Sequence, residues 1–240
     1  MKLILVVGDI HGCYRSKAAW SCLMSAKQAL KPMYTVQLGD LVDNYHLSRH
    51  VKDKIKLPSP RKELDDANQI LDELKPTHIT WGNHDEHRWV RYVTENAPGL
   101  LDFLDFESLL GISRRGIKTY KYQKFCEIGK FAFTHDQGKA GENAVAETYR
   151  QYQGNLIFGH THMAQTQYRG NSQGKKHVIA SAGWMGDAEQ PVFQYAADGR
   201  KRHLWQNGFG LIWMDDNGEG QYEFVPIIGK RAIVNGKVYK

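Results

Sequence analysis

The segment LILVVGDIHG, residues 3–12, joins an apolar run to a polar turn. Its five apolar residues, 3–7, are typical of a central strand of a parallel sheet, which is buried on both faces. Gly8 then allows a sharp turn, and Asp9 and His11 follow directly. Because ligands bind beyond the carboxyl ends of the strands in open α/β sheets, this segment predicts a functional loop on an α/β fold.

The same order of apolar run, glycine and polar residues recurs twice more. A strand predicted at 35–38 precedes GDLVD at 39–43, and another at 78–81 precedes GNHD at 82–85. Parallel strands bring their carboxyl ends to one edge of a sheet, so we expect these loops to share one site.

Signals between and after these loops complete the expected topology. Helices predicted over about 14–30 and 64–74 alternate with the three strands, and this βαβαβ order is typical of α/β folds. After Gly116 the sequence becomes rich in strand signals. We therefore expect a single domain over residues 1–240, with a β-rich C-terminal part at about 165–240.

Two later loops repeat the polar ending. Strands predicted at 118–127 and 130–135 form a hairpin around Gly129, and the second strand ends at His135. The tetrapeptide GHTH at 159–162 follows a strand predicted at 155–158. The histidines of these loops extend the set of polar residues expected at the common edge.

Composition and charge limit the class of protein. A hydrophobic fraction of 41% and a charged fraction of 24% exclude a disordered chain. No apolar run is long enough to span a membrane, so we expect no membrane contact. Three cysteines without Cys-x-x-Cys spacing argue against a disulfide framework or a zinc ribbon, so we expect a protein of the reducing cytoplasm. The net charge of +6 is compatible with a phosphorylated partner or a nucleic acid.

The polar loops offer the ligands that first-row divalent cations prefer. Carboxylate and amide oxygens with imidazole nitrogens suit Mn²⁺, Fe²⁺, Zn²⁺ or Ni²⁺. Each loop alone is also compatible with an ordinary turn or a helix cap, but five in succession favour a metal site. The candidate ligands are Asp9, His11, Asp40, Asn83, His135, His160 and His162. They are too many for one tetrahedral ion and suit two divalent cations that share a carboxylate.

Taken together, the five loops resemble the motifs of the calcineurin-like metallophosphoesterase superfamily. That family carries D-x-H, G-D-x-x-D, G-N-H-D/E, a separate histidine and G-H-x-H, and all five occur in this order between Asp9 and His162. The resemblance implies an α/β fold of four layers, an αββα sandwich in which two packed mixed β-sheets are flanked by helices. It also implies a phosphoesterase that uses a metal-bridged hydroxide as its nucleophile.

The resemblance further implies a role for each residue. One cation is expected on Asp9, His11 and His162, the other on Asn83, His135 and His160, with Asp40 as the bridge. In the phosphatase branch, the histidine after the asparagine ligand acts as a general acid, and the second aspartate of G-D-x-x-D orients it. These positions are His84 and Asp43 here.

Two departures from the phosphatase branch bear on the substrate. That branch has a phosphate-gripping arginine after Asp43, where Asn44 stands here, and the motif at 82–85 ends in Asp instead of Glu. Because a monoester dianion usually requires an arginine clamp, we expect a phosphodiesterase, with a nucleotide or a nucleic acid among its candidate substrates. Arg49 and Arg88 are candidate substrate-binding residues that could supply the clamp, so a phosphomonoesterase or protein phosphatase is the alternative. A non-catalytic binding scaffold is a further alternative, although such a chain is expected to lose ligands and none is lost.

Two basic segments are candidates for contact with a phosphate backbone. A basic insertion is predicted at about 45–63, where Pro58-Ser59-Pro60 opposes helix formation. A second basic run at 114–124 interleaves Tyr120 and Tyr122 with cations, a pattern that suits single-stranded nucleic acid. A solvated loop and an exposed strand face are the ordinary alternatives for the two segments.

Overall fold

The structure is a computed structural model that describes residues 1–48, 57–196 and 202–240. The strands in these ranges are β1 (Lys2–Val7), β2 (Tyr34–Gln37), β3 (His78–Thr80), β4 (Lys118–Tyr120), β5 (Cys126–Ile128), β6 (Phe131–Thr134), β7 (Asn155–Phe158), β8 (Ala164–Gly170), β9 (Lys176–Ala182), β10 (Gly208–Met214), β11 (Gly220–Ile228), β12 (Arg231–Val234) and β13 (Lys237–Tyr239). The α-helices are α1 (Lys17–Leu30), α2 (Pro60–Leu74), α3 (Glu86–Asn96), α4 (Phe106–Leu109) and α5 (Ala144–Tyr152). No helix within the described ranges combines the length and the apolar character needed to cross a membrane.

The larger sheet is built around β1 in the order β13-β12-β11-β10-β1-β2-β3-β4. Strands β1 to β4 are parallel, with Val6 opposite Val36 and Ile79 opposite Thr119. Strand β10 pairs antiparallel with β1, and β11 to β13 continue this half as antiparallel neighbours. The central position of β1 agrees with its continuous apolar sequence.

The smaller sheet has the order β5-β6-β7-β9-β8. Strands β6, β7 and β9 are parallel, whereas β5 and β8 pair antiparallel at the two edges. The carboxyl ends of β6, β7 and β9 therefore share one edge of this sheet. The predicted strand at 155–158 is confirmed as β7.

Three apolar layers hold the elements together. Ile4 and Val6 of β1 face the smaller sheet, and their cluster includes Phe133 and Ile157. Residues of β1 on its opposite face pack with α1 and α2, and the outer face of the smaller sheet packs with Val145 of α5. The two mixed sheets thus pack face to face with helices outside, and the predicted αββα sandwich is confirmed.

Both early helices begin at positions other than those predicted. Helix α1 begins at Lys17, because a short 3₁₀ turn precedes it and the Ser16 hydroxyl accepts a hydrogen bond from Ala19 N at 3.3 Å. Helix α2 begins at Pro60, so the prediction that this proline opposes a helix was wrong. Proline is well suited to the first helical position, where its missing N–H has no partner to lose, and Ser59 caps the helix.

The predicted basic insertion at 45–63 was wrong at its C-terminal end, which belongs to α2. Arg61 and Lys62 form ion pairs at 3.1 and 3.0 Å with Asp65 and Asp66 on the same helix. Arg49, predicted to bind substrate, lies outside the described residues, as does the rest of 49–56.

The strand predicted at 118–127 was also wrong, because this segment divides between the two sheets. Strand β4 pairs with β3 in the larger sheet, whereas β5 pairs with β6 in the smaller sheet through the turn at Gly129. Within the second basic run, Arg115 is only 10% exposed and its Nη2 lies 2.7 Å from Asp72 of α2. Arg115 therefore ties α2 to this segment, and nucleic-acid binding by the remaining cations stays a prediction.

Candidate metal centre

The polar loops that follow β1, β2, β3, β6 and β7 meet at one edge of the molecule. Two backbone groups bind Asp40: His11 N donates to its carbonyl oxygen at 2.8 Å, and His84 N donates to its Oδ1 at 3.0 Å. The loop after β7 is joined in the same way, because His160 N lies 3.0 and 2.9 Å from the two carboxylate oxygens of Asp9. These hydrogen bonds fix the loops relative to one another across both sheets.

Asp9, His11 and His162 form one group of potential ligand atoms. His11 Nε2 lies 3.2 Å from His162 Nε2, which in turn lies 3.3 Å from Asp9 Oδ1. All three side chains are buried. The structure thus brings together the residues predicted for one of the two cations.

Asn83, His135 and His160 form a second group. Asn83 Oδ1 lies 2.9 Å from His135 Nε2 and 3.1 Å from His160 Nδ1. The two imidazole nitrogens are 3.3 Å apart. These are the residues predicted for the other cation, and they face a common point.

Asp40 lies between the two groups. Its Oδ2 is 3.4 Å from His135 Nε2 in the second group and 3.9 Å from His11 Nε2 in the first. This position suits the bridging role that the sequence predicts for Asp40.

Left-handed backbone is concentrated at these ligands. Five of the seven candidates have φ between 50° and 68°, and they are Asp9, His11, Asp40, His160 and His162. For a residue other than glycine this conformation costs roughly 1–2 kcal/mol. Such strain persists where surrounding contacts enforce it, and it is most common at functional sites.

Two glycines allow the carboxylates to approach the backbone closely. A Cβ atom on Gly82 would lie 2.1 Å from Asp40 Oδ1, and one on Gly159 would lie 2.5 Å from Asp9 Oδ2. Both distances are far below van der Waals contact. The glycine of GNHD and that of GHTH are therefore required by the positions of the carboxylates.

The ligating faces of two histidines are set by hydrogen bonds on their opposite ring nitrogens. His135 Nδ1 donates to the carbonyl oxygen of Leu38 at 2.7 Å, and His11 Nδ1 lies 3.0 Å from Asp43 Oδ2. In the neutral rings, Nε2 then carries the lone pair and faces the centre. Partners of this kind fix the tautomer and orientation of metal-binding histidines.

His84, the predicted general acid, lies at the rim of the centre and is 22% exposed. Its Nδ1 is 3.0 Å from the carbonyl oxygen of Asp43 and 3.5 Å from Asp43 Oδ2, while its Nε2 lies 4.0 Å from Asp40 Oδ2. Burial alone would raise the pKa of Asp43, but His84 and His11 hold it well below its usual range. Asp43 was predicted to orient His84 alone, but it also contacts His11.

Arg88, the second predicted substrate-binding residue, lies beside this pair. Its Nη1 donates to the carbonyl oxygen of Asp43 at 2.9 Å, and its side chain is 12% exposed. Asn44 is buried and its Nδ2 donates to the carbonyl oxygen of His84 at 2.8 Å. The position after Asp43 therefore holds the His84 loop in place.

Sequence reasoning missed an aromatic cluster beside the first ligand group. The Trp184 ring stacks on His162 with ring centres 4.6 Å apart and an angle of 12°, and Trp205 meets the same histidine edge-on at 4.5 Å. Phe193 lies 5.3 Å from His11. Trp184 follows β9, which is parallel to β7, so its position at a parallel strand end was the signal available in the sequence.

The electrostatics of the centre fit divalent cations. Burial lowers the pKa of His135, but the neighbouring carboxylates, Asp40 foremost, raise it to about 9. Burial raises the pKa of Asp40, but the surrounding histidines hold it well below its usual range. Asp40 therefore keeps its charge at neutral pH, and a bound cation would replace the proton on His135. Donor type, spacing and charge all agree with the predicted metal site.

The chain belongs to the calcineurin-like phosphoesterase family, whose family model matches residues 2–164. This range contains all the predicted ligands, and the resemblance identified from the five loops is confirmed. Family membership and the clusters of histidine and aspartate support a metal-dependent phosphoesterase, which is a hydrolase.

Individual relatives are distant. The Gene 54 protein of Mycobacterium phage L5 is 25% identical over 260 residues, covering 100% of this chain and 99% of that protein. Vacuolar Protein Sorting 29 from Cryptosporidium parvum has a TM-score of 0.46 at 14% identity, covering 99% of this chain and 94% of its own. YfcE, a phosphoesterase from E. coli, has a TM-score of 0.43 at 15% identity, covering 89% of this chain and 88% of its own. The two structural similarities concern the fold alone.

Proposed function

We propose that this chain hydrolyses phosphodiesters with the help of two divalent cations. The observation that carries the proposal is the pair of ligand groups, one on each side of Asp40, whose Oδ2 lies 3.4 Å from His135 Nε2 and 3.9 Å from His11 Nε2. Asp9, His11 and His162 would hold one cation, and Asn83, His135 and His160 would hold the other. Cations such as Mn²⁺, Fe²⁺, Zn²⁺ or Ni²⁺ would supply Lewis-acid chemistry, lowering the pKa of a water molecule and offsetting the phosphate charge.

His84 is the residue that we expect to protonate the leaving group. The carbonyl oxygen of Asp43 accepts a hydrogen bond from Nδ1, and this contact turns Nε2 toward the centre. A proton on Nε2 can then reach the oxygen that leaves the phosphorus. Asp43 would hold the ring in this orientation.

The surroundings of Asn44 support a diester over a monoester. The amide of Asn44 has no charge and is bound to the His84 carbonyl oxygen, so this position offers no cation to a dianionic phosphate. A diester carries one negative charge less and has less need of such a clamp. A nucleotide or a nucleic acid is the substrate class that we favour.

One observation favours the phosphomonoesterase alternative. Arg88 places a guanidinium group next to Asp43 and His84, with Nη1 4.0 Å from Asp43 Oδ1. If its remaining N–H groups faced a bound phosphate, Arg88 would replace the missing clamp.

Paired substrates distinguish the two functions. With Mn²⁺ present, we expect bis(p-nitrophenyl) phosphate to be hydrolysed with a higher kcat/KM than p-nitrophenyl phosphate. A monoester preference that Arg88→Ala abolishes would instead establish the phosphomonoesterase. Hydrolysis of neither ester, with neither cation taken up, would contradict both and favour a non-catalytic scaffold.

Metal content tests the shared ligand directly. We expect elemental analysis to find about two ions per chain after purification with Mn²⁺. Asp40→Ala should reduce both together, because Asp40 faces both ligand groups. Full occupancy in this variant would show that Asp40 does not bridge.

A further inference from the structure

Asp136 is a carboxylate at the centre that the sequence motifs do not include. It follows His135 directly and is 1% exposed. Its Oδ1 accepts hydrogen bonds from Gly138 N at 2.6 Å and from Gln123 Nε2 at 3.3 Å. Its Oδ2 is buried, and no hydrogen bond of ordinary geometry reaches it within the described ranges, although the Tyr122 hydroxyl interacts with the carboxylate. A carboxylate oxygen without such a hydrogen bond is costly to bury, so the position of Oδ2 calls for a ligand.

This oxygen faces the ligating side of the second group. Asp136 Oδ2 lies 4.0 Å from His135 Nε2 and 3.9 Å from His160 Nδ1. These are the nitrogens that also face Asn83, whereas the other nitrogen of His135 is bound to the carbonyl oxygen of Leu38. A carboxylate that only oriented the histidine would meet it on the Leu38 side. Asp136 is therefore placed with the ligands.

Distances distinguish a cation from a direct hydrogen bond. N–H···O hydrogen bonds span about 2.7–3.2 Å, so the contacts of 3.9 and 4.0 Å are too long for them. Cations such as Zn²⁺ lie about 2.0–2.2 Å from nitrogen and oxygen donors, and two donors to one ion are therefore at most about 4.4 Å apart. The contacts of Asp136 with both histidines fall within this limit.

We propose that Asp136 Oδ2 binds the same cation as Asn83, His135 and His160. The inference rests on the proposed function, because it assigns one more ligand to a cation of that site. Asp136 and Asp40 would then supply two carboxylates to this cation, and Asp9 and Asp40 would supply two to the other cation. The additional oxygen strengthens the preference of this position for a doubly charged cation with oxygen ligands, such as Mn²⁺.

Binding of Mn²⁺ to the metal-free protein tests the proposal in Asp136→Asn and Asp136→Ala. The first variant removes the charge with little change in shape, and the second also removes the donor oxygen. Asp216→Asn is the matched control, because Asp216 is 87% exposed and follows β10 at the strand edge opposite the centre. Calorimetric titration gives the two affinities, and thermal unfolding with and without Mn²⁺ reports folding independently of activity.

We expect both Asp136 variants to weaken one of the two Mn²⁺ affinities by at least about tenfold, while the control binds as the wild type does. Without metal, Asp136→Asn should keep a cooperative unfolding transition, which shows that a weakened affinity does not come from loss of the fold. Wild-type affinities in both variants would overturn the proposal, as would an Asp136→Asn chain that does not fold without metal. A wild-type chain that takes up no cation would instead contradict the proposed function.

Discussion

Replacing Gly82 by alanine tests how tightly the β3 loop is packed against Asp40. The added methyl group would lie 2.1 Å from Asp40 Oδ1 and 2.4 Å from Asp40 N. Gly82 has no positive φ, so the effect of the substitution is steric. To restore ordinary contact, Asp40 would have to withdraw by more than about 1 Å. That shift would break the hydrogen bond of 3.0 Å from His84 N to Asp40 Oδ1.

The expected cost combines two contributions. Overpacking of a filled interior costs about 1–3 kcal/mol, and loss of a hydrogen bond to a charged group costs about 1.5–3 kcal/mol. Gly82→Ala should therefore lower the free energy of unfolding by about 2.5–6 kcal/mol. In a chain of this length that corresponds to a fall in Tm of about 5–24 °C. Movement of Asp40 should also lower the content of both cations.

Thermal unfolding and elemental analysis of Gly82→Ala provide the assay. Gly99→Ala is the matched control, because a Cβ on Gly99 would meet no atom within 4 Å and Gly99 has no positive φ. The control should keep the wild-type Tm and metal content. If Gly82→Ala also kept both, the close approach of the β3 loop to Asp40 would not exist in solution, and the bridging role of Asp40 would lose its structural support.

Three further predictions concern individual side chains. His84→Ala should keep its cations and lose about 10²–10⁴ in turnover, with a smaller loss on aryl than on alkyl esters. Equal losses on both would contradict the acid role. Burial, and then the nearby charge of Asp43, raises the pKa of Glu63 to about 7 from 4.5. Ionisation of Glu63 therefore favours the unfolded chain, and the wild type loses stability as the pH rises from 4.5 to 7. Denaturant titrations should show that Glu63→Gln gains up to about 3 kcal/mol relative to wild type over that interval. A stability difference between the two proteins that did not change with pH would refute this. Trp184→Ala should lower the free energy of unfolding by about 3–5 kcal/mol and weaken the binding of one cation. Phe158→Ala, on the face toward α5, should lower the free energy of unfolding by as much without changing cation affinity.

The parts of the fold that were predictable are those in which local sequence and tertiary position agree. The continuous apolar run of β1 lies in the centre of the larger sheet, where both faces are covered. The segment at 118–127 was not predictable in this way, because strand propensity continues through a stretch in which the chain changes sheets. Pro60 was misread for a related reason: a proline before a charged segment signals a break or a first helical turn equally well, and the Ser59 cap decides between them.

The candidate ligands could be identified from the sequence because each lies in a loop that begins at the end of a parallel strand. Trp184 and Asp136 were not found, although both also follow such strands. Trp184 acts by stacking on His162, a contact between residues that only the sheet order brings together. Asp136 follows a ligand directly, and adjacent residues usually point to different sides. Here the turn that binds Asp136 Oδ1 to Gly138 N directs its other oxygen back to the centre.

Backbone strain links the fold to the proposed function. Five left-handed residues at roughly 1–2 kcal/mol each amount to a large share of the 5–15 kcal/mol by which domains are typically stable. The loops keep this conformation because hydrogen bonds such as that from His160 N to Asp9 Oδ2, at 2.9 Å, join strands of different sheets. A cation at one hundred times its Kd would add about 2.7 kcal/mol of stability and offset part of the strain. Ligands that are already held in place need little rearrangement when the cation binds. The added stability should therefore come from the new contacts to the cation, and it should be lost in full when a chelator removes the cation.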